Sequence, residues 1–309
     1  MSKTTVAVIF GGCSSEYEIS LLSASSIIRN IPKDKYEIIM LGITKEGHWL
    51  LFNGDVDEIE NGTWEQHSEN RTAFLSPDRG IHGIVMETEY GFSAIRIDVI
   101  FPVLHGKNGE DGTIQGLFQL SGIPFVGCDT LASAVCMDKA VTDILLEAAG
   151  IDQANFMWFY ASDYENVKEQ VKEDIMADLG GYPVFVKPAN AGSSVGVSKA
   201  KNAAELDKAV AVAAKEDKKI VIEECIVGKE VECAVMGNAI PKVSVVGEIA
   251  PSAEFYDYED KYKNGTSKVY IPAPLDDELS AEICNTAAKA YRALGCSGLS
   301  RVDFFVRDS

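Results

Sequence analysis

Residues 184–196 decide the fold and read Val-Phe-Val-Lys-Pro-Ala-Asn-Ala-Gly-Ser-Ser-Val-Gly. A short apolar strand ends at Lys187, a position that a solvated surface charge explains poorly. The turn at 192–196 offers backbone N–H groups and two serine hydroxyls, which together suit a polyphosphate. The spacing is not that of a Walker A motif, so a P-loop nucleotidase is disfavoured. A plain hairpin is the alternative for the turn alone.

Carboxylates follow the next apolar strand of the chain. Val221 and Ile222 run into Glu223 and Glu224, and Glu230 comes after a short turn. Acidic groups beside hydrogen-bonding backbone suit an adenine amino group and ribose hydroxyls, while an exposed edge with solvated glutamates is the alternative. The pattern predicts strands at 220–224, 230–236 and 242–248 in one second sheet, and helices around 167–175 and 206–213.

The last predicted strand, residues 300–306, alternates polar and apolar side chains. Arg301 and Asp303 are two residues apart, so both point to one face, and Val302 and Phe304 fill the other. A carboxylate on a strand is a natural Mg²⁺ ligand, and a neighbouring arginine can hold developing negative charge. An ion pair between Arg301 and Asp303 is the alternative.

The N-terminal residues have the pattern of a doubly wound domain. An apolar run at 5–10 leads into Gly-Gly-Cys-Ser-Ser-Glu at 11–16, and a helix over 19–30 precedes a second strand at 36–43. A glycine turn between strand and helix favours anions, but the form is not GxGxxG, and a plain tight turn is the alternative. Glu16 would repel a phosphate and suits an ammonium group better.

A second glycine-rich segment, residues 105–113, follows a buried strand predicted at 98–104. Ligands of open α/β sheets bind at the carboxyl ends of strands, which makes His105 a candidate binding residue. A simple glycine-rich loop and a helix entry capped by Asp111 or Thr113 are the alternatives.

The remaining segments complete the predicted organisation. Residues 53–95 are polar and irregular and are interpreted as an insertion. A helix over 137–149 begins through Asp138, and another covers 278–294. Residues 251–267 form a long polar loop rich in aromatic side chains, and such loops are often lids.

The composition excludes several classes of function. The chain has 309 residues, and 28 basic against 47 acidic side chains give a net charge of −19, which disfavours binding to nucleic acid or anionic lipid. Seven scattered cysteines without a CxxC motif indicate reduced thiols and a cytoplasmic protein. No apolar run is long enough to span a membrane.

Taken together, the segments resemble the D-alanine–D-alanine ligases and their vancomycin-resistance relatives, which are ATP-grasp enzymes. The resemblance covers nearly the whole chain and implies an α/β ATP-grasp fold. An N-terminal Rossmann-like domain over 1–127, a central subdomain over 128–215 and a C-terminal subdomain over 216–309 are expected. The motifs, in chain order, are GGxSxE, LHGxxGEDGTxQG, MDK, FVKPxxxGSSxG, EE…GxE, a lid with Asp-Lys-Tyr, and Arg-x-Asp.

The resemblance implies a role for each motif residue. Glu16 and His105 would bind the first D-alanine, and Arg301 would hold substrate carboxylate and the tetrahedral oxyanion. Ser193 and Tyr262, linked with Glu16, would lock the lid. The implied magnesium ligand is Asp303, and the implied ATP contacts are Lys139, Lys187, Glu223, Ile226, Glu230 and Lys261.

The implied activity joins D-alanine to a second D-amino acid, D-alanine or D-serine, through a D-alanyl phosphate, for peptidoglycan precursors. ATP and Mg²⁺ (or Mn²⁺) would be required, and the enzyme would be a cytoplasmic homodimer. The alternatives are an ATP-grasp ligase of another amino acid and an inactive nucleotide-binding fragment. The family carries a further Glu-x-Asn pair of magnesium ligands beyond the position of Ser309, so we expect the chain to lack its last segment.

Overall fold

The computed structural model describes residues 3–250 and 268–307. The chain divides into two compact units, Met1–Ala134 and Val135–Ser309. The predicted lid, with Lys261 and Tyr262, lies outside the described residues. No helix in the described part of the chain is both long and apolar enough to cross a membrane.

The first unit is built on one seven-stranded sheet of order β6-β5-β4-β3-β2-β1-β7, and α4 crosses the boundary between the units. The bounds are β1 (Thr4–Gly11), α1 (Tyr17–Asn30), β2 (Tyr36–Ile43), β3 (Trp49–Phe52), α2 (Val56–Glu60), β4 (Arg71–Leu75), β5 (Gly83–Thr88), β6 (Gly91–Arg96), β7 (Val99–Leu104), α3 (Thr113–Ser121) and α4 (Thr130–Met137).

Three strands of this sheet are parallel, because β1 pairs with β2 on one side and with β7 on the other. The strands predicted at 5–10, 36–43 and 98–104 are therefore confirmed. The expectation that 53–95 is irregular was wrong, since β4, β5 and β6 continue the same sheet in antiparallel register. Its interpretation as an insertion stays a prediction. The sequence pattern of these strands is weak because they are short and bury few apolar side chains. In β4 only Ala73 and Leu75 are buried.

Both faces of the parallel part are covered by apolar side chains. Ile9 and Leu41 lie in the core on one face, and Phe10 and Leu21 lie in the core on the other. The Phe10 ring meets the buried Trp64 ring edge to face, with centroids 4.9 Å apart. This packing holds the carboxyl ends of β1 and β7 side by side.

The second unit contains two sheets. One has the order β10-β9-β11-β8; the other has the order β13-β12-β14-β15, with β16 paired along β12. The bounds are α5 (Lys139–Ala148), β8 (Phe156–Tyr160), α6 (Tyr164–Ala177), β9 (Val184–Pro188), β10 (Ser198–Ala200), α7 (Ala203–Ala213), β11 (Lys219–Glu224), β12 (Gly228–Gly237), β13 (Lys242–Val243), β14 (Gly247–Ala250), β15 (Lys268–Tyr270), α8 (Asp277–Ala293) and β16 (Gly298–Arg307).

The expectation of one second sheet was wrong. β11 pairs with β8 and β9, whereas β12 and β14 pair in the other sheet, and the predicted strand 242–248 is split between β13 and β14. The alternation of polar and apolar residues along a strand shows which of its faces is buried. It does not show which other strand it pairs with. The predicted helices are confirmed, except that Met137 ends α4 and the next helix begins at Lys139 after its cap Asp138.

Helices cover one face of each sheet in this unit. Val186 and Ile222 lie in the core shared with α6 and α7, and Val231 and Cys233 lie in the core shared with α8. The binding residues predicted from the sequence, such as Lys187 on β9, lie at the alternate positions of their strands. Their side chains therefore point to the opposite face of the sheet. On that face of the four-stranded sheet, Ala140 of α5 packs against Val221 of β11.

Candidate active site

In the first unit, Glu16 and His105 are brought together by the ends of β1 and β7. Glu16 is only 4% exposed and directly precedes α1. The Ser14 hydroxyl donates to the His105 carbonyl at 2.8 Å and accepts from the Glu16 N–H at 3.1 Å. The Nε2 atom of His105 lies 3.2 Å from the Ser23 hydroxyl. The two residues that the resemblance assigns to the first D-alanine are thus neighbours.

Gly106 lies against the Glu16 carboxylate. A Cβ atom at this position would be 2.2 Å from Glu16 Oε2, and the backbone φ of +69° is left-handed. Both conditions favour glycine. The Gly106 N–H also donates to Glu110 Oε2 at 2.6 Å, and Asp111 accepts from Asn108 N–H at 2.8 Å and from Thr113 N–H at 3.0 Å. The loop is therefore held in one conformation beside Glu16.

A cavity of about 350 Å³ opens at the carboxyl ends of β1, β2 and β7. It is the place where a doubly wound sheet binds its ligand, because the connections on either side of β1 leave a crevice there. Its volume is that of a small-molecule pocket. Among its lining residues are Gly12, Cys13, Trp49, His105, Lys107 and Ile114.

In the second unit, two lysines meet on the face of the four-stranded sheet opposite α6 and α7. The Lys187 ammonium is bonded to the Glu223 carboxylate on the neighbouring strand, and Lys139 Nζ donates to the Ala191 carbonyl at 2.6 Å. Burial of the Lys139 ammonium, reinforced by repulsion from Lys187, lowers the pKa of Lys139 to about 8. Neither lysine is a solvated surface charge.

The two carboxylates at the end of β11 have separate partners. Glu223 is held by Lys187, while Glu224 accepts from the Asn155 N–H at 2.8 Å and pairs with Arg307 at 2.7 Å. The alternative of solvated glutamates on an open edge is thereby wrong for both. Ile226 is half-buried in the connection to β12, and Glu230 lies on β12 opposite Phe305.

On β16, Arg301 and Asp303 share the exposed face, as predicted, and they form the ion pair that was the alternative interpretation. Arg301 donates to both oxygens of Asp303, from Nε at 2.7 Å and from Nη2 at 2.9 Å. Glu232 stands opposite Asp303 in the register and lies 3.2 Å from Arg301 Nε. The face thus carries three charged groups close together.

Ser193 lies in the predicted turn after β9, with a left-handed φ of +46°, and Ser194 follows at +61°. The neighbouring Asn190 is fixed by Asp217, which accepts from both its backbone N–H and its side-chain amide. Two successive left-handed residues turn the chain sharply beyond Lys187. The other residues assigned to the lid, Lys261 and Tyr262, fall in the segment that is not described.

The sequence interpretation missed Asp143, which lies one helical turn after Lys139 on α5. Burial, with repulsion from Glu223 as the second cause, raises the pKa of Asp143 to about 7. Its spacing of four from Lys139 places both side chains on the same helical face and is the signal that could have found it.

The sequence matches two family profiles. The profile described as "D-ala D-ala ligase N-terminus" matches residues 5–128, and the one described as "D-ala D-ala ligase C-terminus" matches residues 145–309. D-alanine–D-alanine ligase of Acetivibrio thermocellus is 51% identical over 320 residues, which cover 98% of this chain and 84% of that protein. The enzyme of Ruminiclostridium cellulolyticum is 50% identical, with 99% and 84% covered.

Solved structures agree with these matches. The VanG D-Ala:D-Ser ligase from Enterococcus faecalis superposes with a TM-score of 0.88 at 44% identity, covering 99% of this chain and 87% of that one. The D-alanine–D-alanine ligase from Coxiella burnetii gives a TM-score of 0.82 at 30% identity, with 99% and 82% covered. The predicted α/β ATP-grasp fold with an N-terminal Rossmann-like domain is confirmed. The chain matches both family profiles, and about half of its residues are identical to those of relatives along nearly its full length. The chain therefore belongs to the D-alanine–D-alanine ligase family.

Proposed function

We propose that the chain joins D-alanine to a second D-amino acid at the expense of ATP, for the synthesis of peptidoglycan precursors. The observation that carries this proposal is the group of Lys139, Lys187 and Glu223 on the face of the four-stranded sheet opposite α6 and α7. Two cations directed to one place suit the phosphates of a nucleotide, and the adjacent carboxylate suits the amino group of adenine. Ile226 is proposed to contribute its backbone, and Glu230 to hold the ribose.

Glu16 and His105 are the proposed binding residues for the first D-alanine. A buried carboxylate attracts the substrate ammonium group, and the rigid loop at Gly106 fixes its position. This assignment accounts for the absence of a phosphate-binding glycine pattern at 11–16. The domain bounds that go with it are 1–127, 128–215 and 216–309.

The reaction proceeds in two steps. The carboxylate of the first D-alanine attacks the γ-phosphate of ATP, which releases ADP and forms an acyl phosphate. The amine of the second substrate then attacks the acyl carbon and displaces phosphate. Lys139, Lys187 and Lys261 are proposed to position and neutralise the phosphates, and Arg301 to hold the oxyanion of the tetrahedral intermediate.

Asp303 is the residue proposed to hold Mg²⁺. Its carboxylate is exposed on β16, and Mg²⁺ is usually bound by one or two carboxylates together with substrate phosphates and water, so a single carboxylate fits. Within residues 3–250 and 268–307 no cluster of three or more possible metal ligands occurs. The ion would supply charge neutralisation at the transferred phosphoryl group.

Ser193 and Tyr262 are proposed to act with Glu16 in closing the site against water, which would otherwise hydrolyse the acyl phosphate. A tyrosine in the lid favours an amine nucleophile, so an amide is the proposed product and D-alanine and D-serine the proposed second substrates. A cytoplasmic location and a homodimer complete the proposal, both taken from the family.

Phosphate release and product chromatography test this function. The purified protein with ATP and Mg²⁺ is supplied with D-alanine alone, with D-alanine plus D-serine, and with D-alanine plus D-lactate. Release of phosphate that depends on the D-amino acid, with D-Ala–D-Ala or D-Ala–D-Ser as product, is expected, and L-alanine serves as the inactive control. An ester as the main product, or no phosphate release with any D-amino acid, would contradict the proposal.

A further inference from the structure

Two cysteine thiols of the second unit are in contact although they are far apart in the sequence. Cys136 Sγ lies 3.7 Å from Cys296 Sγ, and the two residues are 160 positions apart in the chain. Cys136 is exposed near the C-terminal end of α4, and Cys296 is half-buried in the turn between α8 and β16. The sulfurs of a disulfide are about 2.05 Å apart, so these thiols are reduced and stand about 1.7 Å short of a bond.

Hydrogen bonds hold the backbone on both sides of this contact. The Thr142 hydroxyl of α5 donates to the Val135 carbonyl of α4 at 2.8 Å, and the Cys296 N–H donates to a carbonyl in the last turn of α8 at 2.9 Å. Lys289 Nζ links α8 to the end of α5, because it donates to the Gly150 carbonyl at 2.6 Å. The end of α4 and the turn after α8 are therefore kept near one another, and rotation about the two Cα–Cβ bonds can close the gap between the sulfurs.

A second pair of neighbouring cysteines, Cys233 on β12 and Cys284 on α8, differs in its exposure. Cys233 is fully buried, and the Cys284 thiol donates to the Ser244 carbonyl at 3.5 Å. Burial of the Cys233 thiol, reinforced by the neighbouring Cys284, raises the pKa of Cys233, so almost none of its reactive thiolate forms at neutral pH. Oxidants react with thiolates that solvent reaches, which distinguishes the contact between Cys136 and Cys296 from this buried pair.

We propose that Cys136 and Cys296 form a reversible oxidation site, at which hydrogen peroxide joins the two thiols in an intramolecular disulfide. The Cys136 thiolate attacks one oxygen of the peroxide, the O–O bond breaks, and a sulfenic acid and a hydroxide ion result. The Cys296 thiolate then attacks the Cys136 sulfur, the S–S bond forms, and a second hydroxide leaves. The two thiols give up two electrons to the peroxide, and their two protons convert the hydroxides to water.

The disulfide would cross-link two functional elements of the second unit. Lys139 follows Cys136 closely at the start of α5, and β16, which carries Arg301 and Asp303, begins just after Cys296. The bond closes a loop of 160 residues and restricts the unfolded chain, which stabilises the folded one. Disulfides of cytosolic proteins are usually transient and serve in redox sensing or catalysis. The site is independent of the proposed ligase reaction.

Peptide mapping of the full chain after oxidation tests the proposal. The reduced protein is treated with graded hydrogen peroxide, alkylated under denaturing conditions and digested, with and without prior addition of dithiothreitol. We expect Cys136 and Cys296 to lose alkylation in parallel, a linked peptide pair that contains both to appear, and dithiothreitol to restore both thiols. The melting temperature of the oxidised protein should rise by several degrees, because the bond closes a long loop.

Serine variants identify the two sulfurs. Cys136→Ser and Cys296→Ser each remove one sulfur at nearly the same size, and we expect neither a linked peptide nor a rise in melting temperature after peroxide treatment. Cys284→Ser, in the buried pair, is the matched control and should form the same linked peptide as the unmodified chain. A variant that folds poorly already melts lower before oxidation, and peptide mapping of the unmodified chain then decides alone.

The outcomes that contradict the site are equally specific. Retained alkylation of Cys136 and Cys296 in the unmodified chain, or their accumulation as sulfinic acids without a linked peptide, would overturn the proposal. Linkage of either residue to another cysteine would do so as well, and so would linkage to a second chain, seen as a dimer on a non-reducing gel.

Discussion

The Lys187 ammonium is bonded to the Glu223 carboxylate across two neighbouring antiparallel strands. The two residues occupy a diagonal on the same face of the sheet, since Lys187 is opposite Val221 and Glu223 is opposite Phe185. Both side chains are largely buried, with 22% and 15% of their surfaces exposed. The cation proposed for the phosphates and the carboxylate proposed for adenine are thus positioned by one another.

Replacement of Lys187 by alanine tests the phosphate role. The change removes a fixed cation from the transferred phosphoryl group, and we expect kcat/KM to fall by about 10²–10³-fold. Lys172→Ala is the control, because Lys172 pairs with Glu169 on the surface of α6. Activity of Lys187→Ala within a few-fold of the unmodified protein would rule out the phosphate role.

Replacement of Glu16 by glutamine tests the binding of the first substrate. The amide keeps the shape but loses the negative charge, so the KM for D-alanine should rise by about tenfold or more while the affinity for ATP stays constant. Glu18→Gln is the matched control two residues away, where the carboxylate pairs with Lys45 on the surface. Equal effects of the two changes on D-alanine would contradict the role of Glu16.

Gly106→Ala should disturb the Glu16 carboxylate more than backbone strain alone explains. Gly106 and Gly295 both have a φ of +69°, but a Cβ at Gly295 meets nothing within 4 Å. Gly295→Ala therefore measures the strain, about 1–2 kcal/mol for a left-handed residue, without a collision. We expect Gly106→Ala to lower the melting temperature further and to abolish D-alanine binding. Identical behaviour of the two variants would show that the close approach of Gly106 to Glu16 has no consequence.

The Asp143 carboxyl should reduce stability above neutral pH. Its pKa is about 7 in the folded chain and about 3.9 in an unfolded one, so the folded state binds more protons between these values. The free energy of unfolding contributed by this group therefore falls as the pH rises from about 4 to about 7. Asp143→Asn should melt at a higher temperature than the unmodified protein at pH 8, and the difference should disappear near pH 4. A melting difference that does not change with pH would refute the assignment, and Asp152→Asn is the control.

Local sequence determined much of the molecule. Alternation on β16 placed Arg301 and Asp303 on one face, and the apolar runs of β1 and β2 placed the glycine turn at the end of a parallel strand. Residue types at fixed spacing were also sufficient to relate the chain to its family. These features depend on neighbours within a few residues, because helix and strand periods are set by local backbone geometry.

Pairing and burial were decided only by the tertiary structure. The short strands β4 to β6 extend the first sheet, β11 and β12 separate into different sheets, and Asp143 becomes a half-buried acid that the charge of Glu223 affects. The alternation of residues along a strand does not determine which strand it pairs with. The pKa of a carboxyl depends on its exclusion from solvent and on charges of other helices and strands. Such quantities arise from contacts between residues far apart in the chain, so they exist only once the chain has folded.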